Sequence, residues 1–191
     1  VANVEGRSVI AAASKEAKRF GVRSAMNIPD ALRICPHLRF VKGTSAKYRD
    51  ISRRARVIFE KYGTAMEQTS IDEVYMDATD TTPRFGGIEA LAEKLKKELR
   101  EELGEHITCS IGAAGNKSLA KLASDLDKPN GLTIVTPENM NEIFKRVKLG
   151  DFCGIGPATE AKLSRCGIKT AADLRNTSAE RLRLLFGKQG E

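Results

Sequence analysis

Two adjacent carboxylates, Asp72 and Glu73, lie inside a run of residues that favours β structure, including Thr69, Ile71 and Val74. In a regular strand, neighbouring side chains point to opposite faces, so these two acids reach one site only from a tight turn between two strands. Held together and poorly solvated, both stay ionised only beside a cation, and oxygen ligands suit Mg²⁺ or Mn²⁺. The pattern therefore predicts a metal-binding hairpin tip, with a solvated tip that binds nothing as the alternative.

The composition indicates a basic globular protein with enough apolar residues to form a core. Of 191 residues, 41% are hydrophobic and 30% are charged, and the formal net charge is +7. This length predicts one medium domain and a small second one. The positive charge favours a polyanionic partner such as nucleic acid, although a basic surface without such a partner has the same composition.

The cysteines and the hydropathy exclude several classes of protein. The four cysteines are Cys35, Cys109, Cys153 and Cys166. They have no C-x-x-C spacing, so we expect reduced thiols and neither a zinc cluster nor a disulfide framework. No apolar run approaches the roughly 18 residues that span a bilayer, and no signal-peptide pattern opens the chain. We expect a cytoplasmic protein without a membrane partner. Because the sequence begins at Val1 within a strand-like pattern, we also expect a truncated chain.

Strand and helix patterns follow one another up to about residue 148. The patterns predict strands at 8–13, 38–41, 107–113 and 132–135, and helices at 14–20, 29–35, 45–62, 88–103 and 138–147, with a further helix after Asn116. Together with the acidic hairpin, this order predicts an α+β fold with helices on one face of a sheet. From about residue 149 the pattern changes to short helices, which predicts a domain boundary there.

The segment Gly154-Ile155-Gly156 predicts a compact turn before a helix at about 158–166. Pro157 suits the first turn of that helix, and the glycines let the backbone approach something bulky. Free N–H groups at a helix N-terminus form an anion site, here with Lys162 nearby. A helix hairpin that serves only packing is the alternative.

Several motifs, in order along the chain, closely resemble those of the Y-family lesion-bypass DNA polymerases, nearest to the bacterial polymerase IV type. They are Ser70 to Asp77 (SIDEVYMD), Asn116 to Asp125 with Lys128-Pro129-Asn130-Gly131, Gly154-Ile155-Gly156, Glu16 to Arg23, and Cys35-Pro36. The resemblance covers nearly the whole chain, and such ordered agreement is specific.

The resemblance implies an α+β fold with a ferredoxin-like palm, a small fingers region and an all-α helix-hairpin-helix thumb. On this basis we expect partial fingers at 1–45, the palm at 46–148 and the thumb at 149–191. It further implies an error-prone translesion DNA polymerase that transfers nucleotides to the 3′-hydroxyl of a primer paired with a template. The expected substrates are primer-template DNA and deoxynucleoside triphosphates, and a sliding clamp is a further expected partner of a monomeric parent protein.

By motif match, Asp72 ligates a pair of Mg²⁺ or Mn²⁺ ions and Glu73 lies beside the primer hydroxyl as a ligand or support of the catalytic ion. Asp77 matches the motif but falls on the second strand, where we expect a structural role. The nucleotide-binding residues implied are Lys18, favoured over Lys15, and Lys128. The DNA-binding residues implied are Gly154, Ile155, Gly156 and Lys162.

The sequence departs from the family pattern in three ways. The first-strand motif, with a third metal-binding Asp and an aromatic side chain, is not found in this sequence, which predicts weak metal binding and an incomplete catalytic fragment. The family usually has Tyr and Arg where Lys15 and Lys18 stand, so the bidentate contact of Arg is lost. The additional DNA-gripping domain of the family is not found either, which predicts weak DNA binding.

Two other functions are consistent with parts of the pattern. A non-catalytic DNA-binding scaffold could retain the fold and use the basic helices and the thumb for backbone contacts. A nucleotide cyclase could share the palm, but the Gly154-Ile155-Gly156 segment after the palm argues against it.

Overall fold

The computed structural model describes residues 8–187, and the chain divides into two compact units, residues 1–53 and 54–191. Within the described residues the secondary structure mixes helices with short strands, which confirms the predicted α+β class. The domain limits predicted after residues 45 and 148 stay predictions.

The first unit contains two short helices, α1 (Lys15–Arg19) and α2 (Ile28–Ile34). Both helices have side-chain N-caps, because Ser14 Oγ accepts from Ala17 N and Asn27 Oδ1 accepts from Asp30 N. The helix α3 (Ser45–Phe59) begins in this unit and continues into the second one. The core of the first unit consists of Ile10, Ala17, Val22 and Ala31.

The strands predicted at 8–13 and 38–41 are wrong. The structure has only an isolated antiparallel bridge between Val9 and Asn27, and no strand at 38–41. Ile10 exchanges backbone hydrogen bonds with Ala25 and Met26, but the ladder does not continue beyond this point. A β-favouring run becomes a strand only where a partner segment supplies successive hydrogen bonds, and composition alone does not reveal that partner.

The second unit contains four strands and seven α-helices in residues 54–187, besides the end of α3. They are β1 (Ala65–Gln68), β2 (Val74–Asp77), α4 (Thr82–Phe85), α5 (Ile88–Leu103), β3 (Ile111–Ala113), α6 (Lys117–Leu126), β4 (Leu132–Ile134), α7 (Met140–Arg146), α8 (Pro157–Arg165), α9 (Ala171–Asn176) and α10 (Ala179–Phe186). A 3-10 turn at Leu149–Asp151 connects α7 to α8. Strands β1 and β2 pair antiparallel, and β3 and β4 pair parallel.

Helix α5 buries the face that its sequence pattern predicts. Leu91, Leu95 and Leu99 are buried together with Ile58 and Tyr62 near the end of α3. The hydroxyl of Tyr62 donates to Glu98 Oε2 over 2.6 Å, and burial together with this hydrogen bond raises the pKa of Tyr62. The phenol group of Tyr62 therefore stays protonated, with its ring in the core and its hydroxyl hydrogen-bonded to Glu98.

Helix α6 packs closely on β3 because residue 112 is a glycine. A Cβ atom there would lie 2.0 Å from the carbonyl oxygen of Ala120, so any larger residue would force the helix away. The apolar face of α6, with Leu122 and Ala123, belongs to a core cluster that also contains Phe152 and Ala171. Residues on both sides of the boundary predicted at 149 therefore share one apolar core.

The last three helices have a small core of their own, formed by Leu149, Leu163 and Ile168. In the part of the chain from 8 to 187, no helix is both long enough and apolar enough to cross a membrane. All four cysteines are free thiols.

A pair of identical substitutions tests the assignment of the core. Leu95 is 3% exposed and Leu184 is 82% exposed, and both lie within helices where alanine is well tolerated. We expect Leu95→Ala to lower the free energy of unfolding by about 2–5 kcal/mol, because it removes buried methyl groups and leaves a cavity. Leu184→Ala should change it by less than about 0.5 kcal/mol. Urea denaturation of both variants is the measurement, and equal losses would contradict the assignment.

Candidate active site at the hairpin tip

The turn between β1 and β2 carries both predicted acids. The main chain of Glu73 closes the hairpin, since its carbonyl oxygen accepts from Thr69 N over 3.1 Å and from Ser70 N over 3.4 Å. Asp72 and Glu73 are therefore held on a five-residue loop rather than on opposite faces of a strand, and both are exposed. The predicted turn between two strands is confirmed, but the two acids are exposed rather than poorly solvated.

Ser70 organises this loop from within. Its hydroxyl donates to Asp72 Oδ1 over 2.8 Å and accepts from the backbone N–H groups of Asp72 and Glu73 over 3.3 and 3.1 Å. Such short-range side-chain bonds favour a turn over a continued strand. The serine thereby fixes the direction in which the two carboxylates leave the chain.

Helix α6 places a lysine against the hairpin tip. Lys121 Nζ lies 2.5 Å from Glu73 Oε1 and 3.2 Å from Asp125 Oδ2, one helical turn further on. Asp125 Oδ1 in turn lies 2.5 Å from Lys128 Nζ, just after the end of α6. We call Glu73, Lys121, Asp125 and Lys128 the tip network, in which negative and positive groups alternate.

Lys121 and Asp125, the two inner members of the tip network, keep their charges over a wide pH range. Partial burial disfavours the charged form of Lys121, whose side chain is 20% exposed, but the hydrogen bonds to Glu73 and Asp125 outweigh burial and raise its pKa. Partial burial on its own would raise the pKa of Asp125, but the hydrogen bonds from Lys128 and Lys121 outweigh burial and lower this pKa. Both groups are therefore charged at neutral pH.

A second ion pair connects the start of α6 to the same hairpin. Lys117 donates to Glu67 on β1, and its Nζ lies 5.8 Å from the ring centroid of Tyr75 on β2. Asn116 caps the helix, since its Oδ1 accepts from Leu119 N over 2.9 Å. Helix α6 and the hairpin are thus connected at two successive turns of the helix.

Asp77 lies at the end of β2, where its Oδ1 accepts from Thr79 N over 3.0 Å. This backbone hydrogen bond lowers the pKa of Asp77. The contact stabilises the turn after the strand, in accordance with the structural role expected for this residue.

Asp72 and Glu73 fit the chemistry of two ligands to a hard divalent cation, because both are exposed carboxylates on one ordered loop. Across residues 8–187, no group of three or more His, Cys, Asp or Glu side chains is arranged to hold a metal ion. The role of Asp72 and Glu73 as metal ligands stays a prediction.

The other predicted site residues belong to α1 and to the segment around the start of α8. Lys15 and Lys18 are exposed on α1 in the first unit. Gly154, with a φ of +90°, and Gly156, at the N-cap position, precede α8.

Lys162 is engaged within the last three helices. It donates to the carbonyl oxygen of Leu185, and its Nζ lies 4.6 Å from the centroid of the Phe186 ring. Its ammonium group therefore contacts α10.

Lys121 and Asp125 are the residues of the tip network that the sequence analysis did not select. Their spacing was visible, since they are four residues apart on one helix and Lys128 follows three residues later. Such pairs are common on solvated helix faces, however. Only the approach of α6 to the hairpin shows that this pair contacts Glu73.

Comparison with known proteins identifies the family of the chain. The impB/mucB/samB family matches residues 1–125, which is more than half of the chain. The chain belongs to this family. The similarity to Y-family polymerases inferred from the motifs is confirmed by relatives and by solved structures.

Two relatives illustrate the similarity of this family member to longer proteins. DNA polymerase IV of Vibrio parahaemolyticus is 40% identical over 184 residues, which are 96% of this chain and 51% of the relative. DNA polymerase IV of Gluconobacter oxydans is 42% identical over 184 residues, again 96% of this chain and 51% of the relative. The chain thus spans about half the length of the curated relatives it matches.

Solved structures show the same relation. The insertion ternary complex of Dbh DNA polymerase has a TM-score of 0.84 at 31% identity and covers 98% of this chain and 55% of the other. A Y-family DNA polymerase chimera of Dbh and Dpo4 has a TM-score of 0.83, also at 31% identity, with 97% of this chain covered and 54% of the other.

The charge of Asp125 predicts a pH dependence of stability. Folding lowers the pKa of Asp125, so its charge stabilises the folded state. This contribution to the free energy of unfolding is complete above the unfolded-state pKa of about 3.9, and it is lost as the pH falls through the lower pKa of the folded state. At pH 7 we expect the free energy of unfolding of the wild type to exceed that of Asp125→Asn by about 0.5–1 kcal/mol. The difference is small because solvent screens part-exposed ion pairs. This difference should close below about pH 4.

Urea denaturation between pH 3 and 7 measures this difference, and Asp80→Asn, at an exposed aspartate, is the matched control. A difference that stays constant over this range would show that the charge of Asp125 is not responsible.

Proposed function

We propose that the protein containing this chain is a template-directed DNA polymerase of the error-prone translesion class. It transfers nucleotides from deoxynucleoside triphosphates to the 3′-hydroxyl of a primer. The observation that carries this proposal is the tip network, which connects Glu73 on the hairpin to Lys128 through Lys121 and Asp125. At one end of the network the carboxylate of Glu73 suits a divalent cation, and at the other end the ammonium group of Lys128 suits a phosphate.

The relatives support this proposal. Those described above carry the name DNA polymerase IV, and a similar solved structure is an insertion ternary complex. Because the chain spans about half of each relative, the activity is proposed for the intact protein.

In this proposal Asp72 and Glu73 would hold two Mg²⁺ or Mn²⁺ ions with their carboxylate oxygens. Such ions, when bound, activate the attacking hydroxyl and offset the charge of the phosphates and of the leaving pyrophosphate. Ser70 keeps Asp72 oriented through its 2.8 Å hydrogen bond. Glu73 would lie beside the primer hydroxyl, and its 2.5 Å contact with Lys121 holds its carboxylate in position before substrates bind.

Lys128 is the proposed contact to the triphosphate. Its side chain is 54% exposed, so it can turn from Asp125 to a phosphate without leaving a buried charge unpaired. Lysine acts on phosphate as a mobile point charge. Asp125 would then keep its contact with Lys121, so the network loses only one of its ion pairs when the nucleotide binds.

Lys18 on α1 is proposed as a second triphosphate contact and is preferred to Lys15. Both lysines retain positive charge, although neither offers the two parallel donors of an arginine. The exposed position of Lys18 on its helix supports a role in binding a soluble anion.

DNA binding is proposed for the N-terminus of α8. Gly154 and Gly156 would present backbone N–H groups to a DNA phosphate, and at neither glycine would a Cβ have a neighbouring atom within 4 Å. The N–H of Ile155 donates to the carbonyl oxygen of Phe152 over 3.0 Å, so the proposed part of Ile155 is to shape this turn. Because Lys162 contacts α10, its proposed part is to add positive potential rather than to form a direct phosphate contact.

A non-catalytic DNA-binding scaffold is the second candidate function. One observation favours it: within residues 8–187, the two acids of the tip belong to no cluster of three or more metal-ligating side chains. The two candidate functions predict different results when a carboxylate of the tip is removed. A polymerase would lose nucleotide transfer, whereas a scaffold would bind DNA as before and would have no transfer activity to lose.

Primer extension by the intact protein separates these candidates. We expect Asp72→Ala to reduce Mg²⁺-dependent extension by about three orders of magnitude, because charge stabilisation of the transition state is lost, while duplex binding is retained. The matched control Asp80→Ala changes another exposed aspartate of the same unit and should extend normally. Equal extension by the wild type and Asp72→Ala would end the catalytic assignment.

The thumb proposal predicts an effect of adding a single methyl group. At Gly156, where φ is −82° and the surrounding space is open, alanine is tolerated by the fold but obstructs the approach of a DNA phosphate. We expect Gly156→Ala to weaken duplex binding about threefold to tenfold at low salt, the loss of one phosphate contact, and to reduce the salt slope by about one. Fluorescence anisotropy with several duplex sequences is the measurement.

The matched control for this experiment is Gly115→Ala, where a Cβ also meets open space. Equal binding by both variants, or a strong preference for one duplex sequence, would contradict sequence-independent phosphate binding at α8.

A further inference from the structure

The loop between α6 and β4 is held from the side by a lysine that lies outside the tip network. Lys96 on α5 donates from Nζ to the carbonyl oxygens of Asn130 and Gly131, each over 2.7 Å. Its ammonium group is half-buried, and both acceptors belong to the main chain. Charged donors form stronger hydrogen bonds than neutral ones, so one side chain restrains two successive residues of the loop.

This loop is also the segment that carries Lys128, two residues before Asn130. It is folded closely on itself, since a Cβ at Gly131 would lie 1.9 Å from the carbonyl oxygen of Asp127. The carbonyl of Gly131 accepts a second hydrogen bond from Ile111 N over 3.0 Å, which connects the loop to β3. The backbone of Lys128 is therefore adjacent to a segment anchored by both α5 and the sheet.

The position of Lys96 on α5 explains why it can reach the loop. It directly follows Leu95, which is in the core, so the helix holds its stem beside the buried face. The next residue, Lys97, points to a different side, is 75% exposed and has its nearest acid, Glu101, at 3.8 Å. The two lysines are chemically identical and differ in what they contact.

We propose that Lys96 is a positioning residue for the nucleotide, which acts by holding the backbone that carries Lys128. This inference rests on the proposed triphosphate contact of Lys128. Lys96 itself need not touch the substrate: its two carbonyl contacts fix the origin of the Lys128 side chain. When the Cα atom of Lys128 is held in place, a larger share of its side-chain conformations reach the phosphate. Less conformational entropy is then lost when the nucleotide binds.

The groove around Lys96 indicates that its loss would loosen the loop rather than unfold the protein. A cavity of about 450 Å³ lies between Lys96, Lys97, Arg100 and Asn130. Water can enter this space and bond to the two carbonyl groups when the ammonium is removed, so their desolvation penalty is avoided. A water molecule at these carbonyl groups would not, however, restrain the loop relative to α5, whereas the Lys96 side chain is part of α5 and donates to both.

The test compares Lys96→Met with Lys97→Met in the intact protein, using single-nucleotide incorporation on a primer-template. Methionine keeps the apolar stem and removes the charge. We expect Lys96→Met to raise the KM for the nucleotide about tenfold, the size of one charge-assisted hydrogen bond, with kcat changed less than about threefold. Lys97→Met should have the KM of the wild type. Lys96→Arg, which also donates to carbonyl groups, should have a KM close to that of the wild type.

Two further measurements separate positioning from stability. Hydrogen–deuterium exchange of peptides covering residues 126–133 should be faster in Lys96→Met and unchanged in Lys97→Met, without nucleotide present. In a Lys128→Met background, Lys96→Met should cause little additional rise in KM, because the side chain that it positions is gone.

The outcomes distinguish the two levels of the proposal. If Lys128→Met raises KM and Lys96→Met behaves like Lys97→Met, the positioning role is wrong and the role of Lys128 stands. If Lys128→Met leaves KM unchanged, the triphosphate contact itself is wrong. If Lys96→Met lowers thermal stability and kcat with unchanged KM, Lys96 serves only the fold.

Discussion

The approach of α6 to β3 at Gly112 is the constraint on which the site depends. Because residue 112 has no side chain, the backbone of α6 comes close enough to the strand to bury Leu122 and Ala123. The opposite, polar side of the helix then faces the β1–β2 hairpin, where Lys117 and Lys121 form ion pairs with Glu67 and Glu73. A larger residue at 112 would displace the helix and separate these charges.

The alternation of charge in the tip network solves an electrostatic problem. The adjacent carboxylates of Asp72 and Glu73 repel each other, and partial burial disfavours the charged form of Lys121. The contact between Glu73 and Lys121 offsets both costs. Asp125 plays the same part between Lys121 and Lys128, where two cations would otherwise repel. The outer members, Glu73 and Lys128, remain accessible enough to exchange a protein partner for a bound ion or a phosphate.

Several features were predictable because they depend on short-range chemistry. The hairpin follows from β-favouring flanks around a polar turn, and the starts of α1 and α6 follow from Ser14 and Asn116 as N-caps. The buried face of α5 follows from its periodicity. The strands predicted at 8–13 and 38–41 failed because strand formation requires a partner that lies elsewhere in the chain. Lys121 and Lys96 were missed for the same reason, since their partners are distant in sequence.

The sequence by itself determined the family, the α+β class, the acidic turn and the order of the helices, because motifs, caps and apolar periodicity are local properties. The tertiary structure decided which charges meet. It showed that Glu73 contacts Lys121 rather than standing alone, that Lys162 contacts α10, and that Lys96 holds the loop after α6. The physical reason is that a charged side chain is defined by its neighbours within a few ångströms, and packing, not spacing along the chain, selects them.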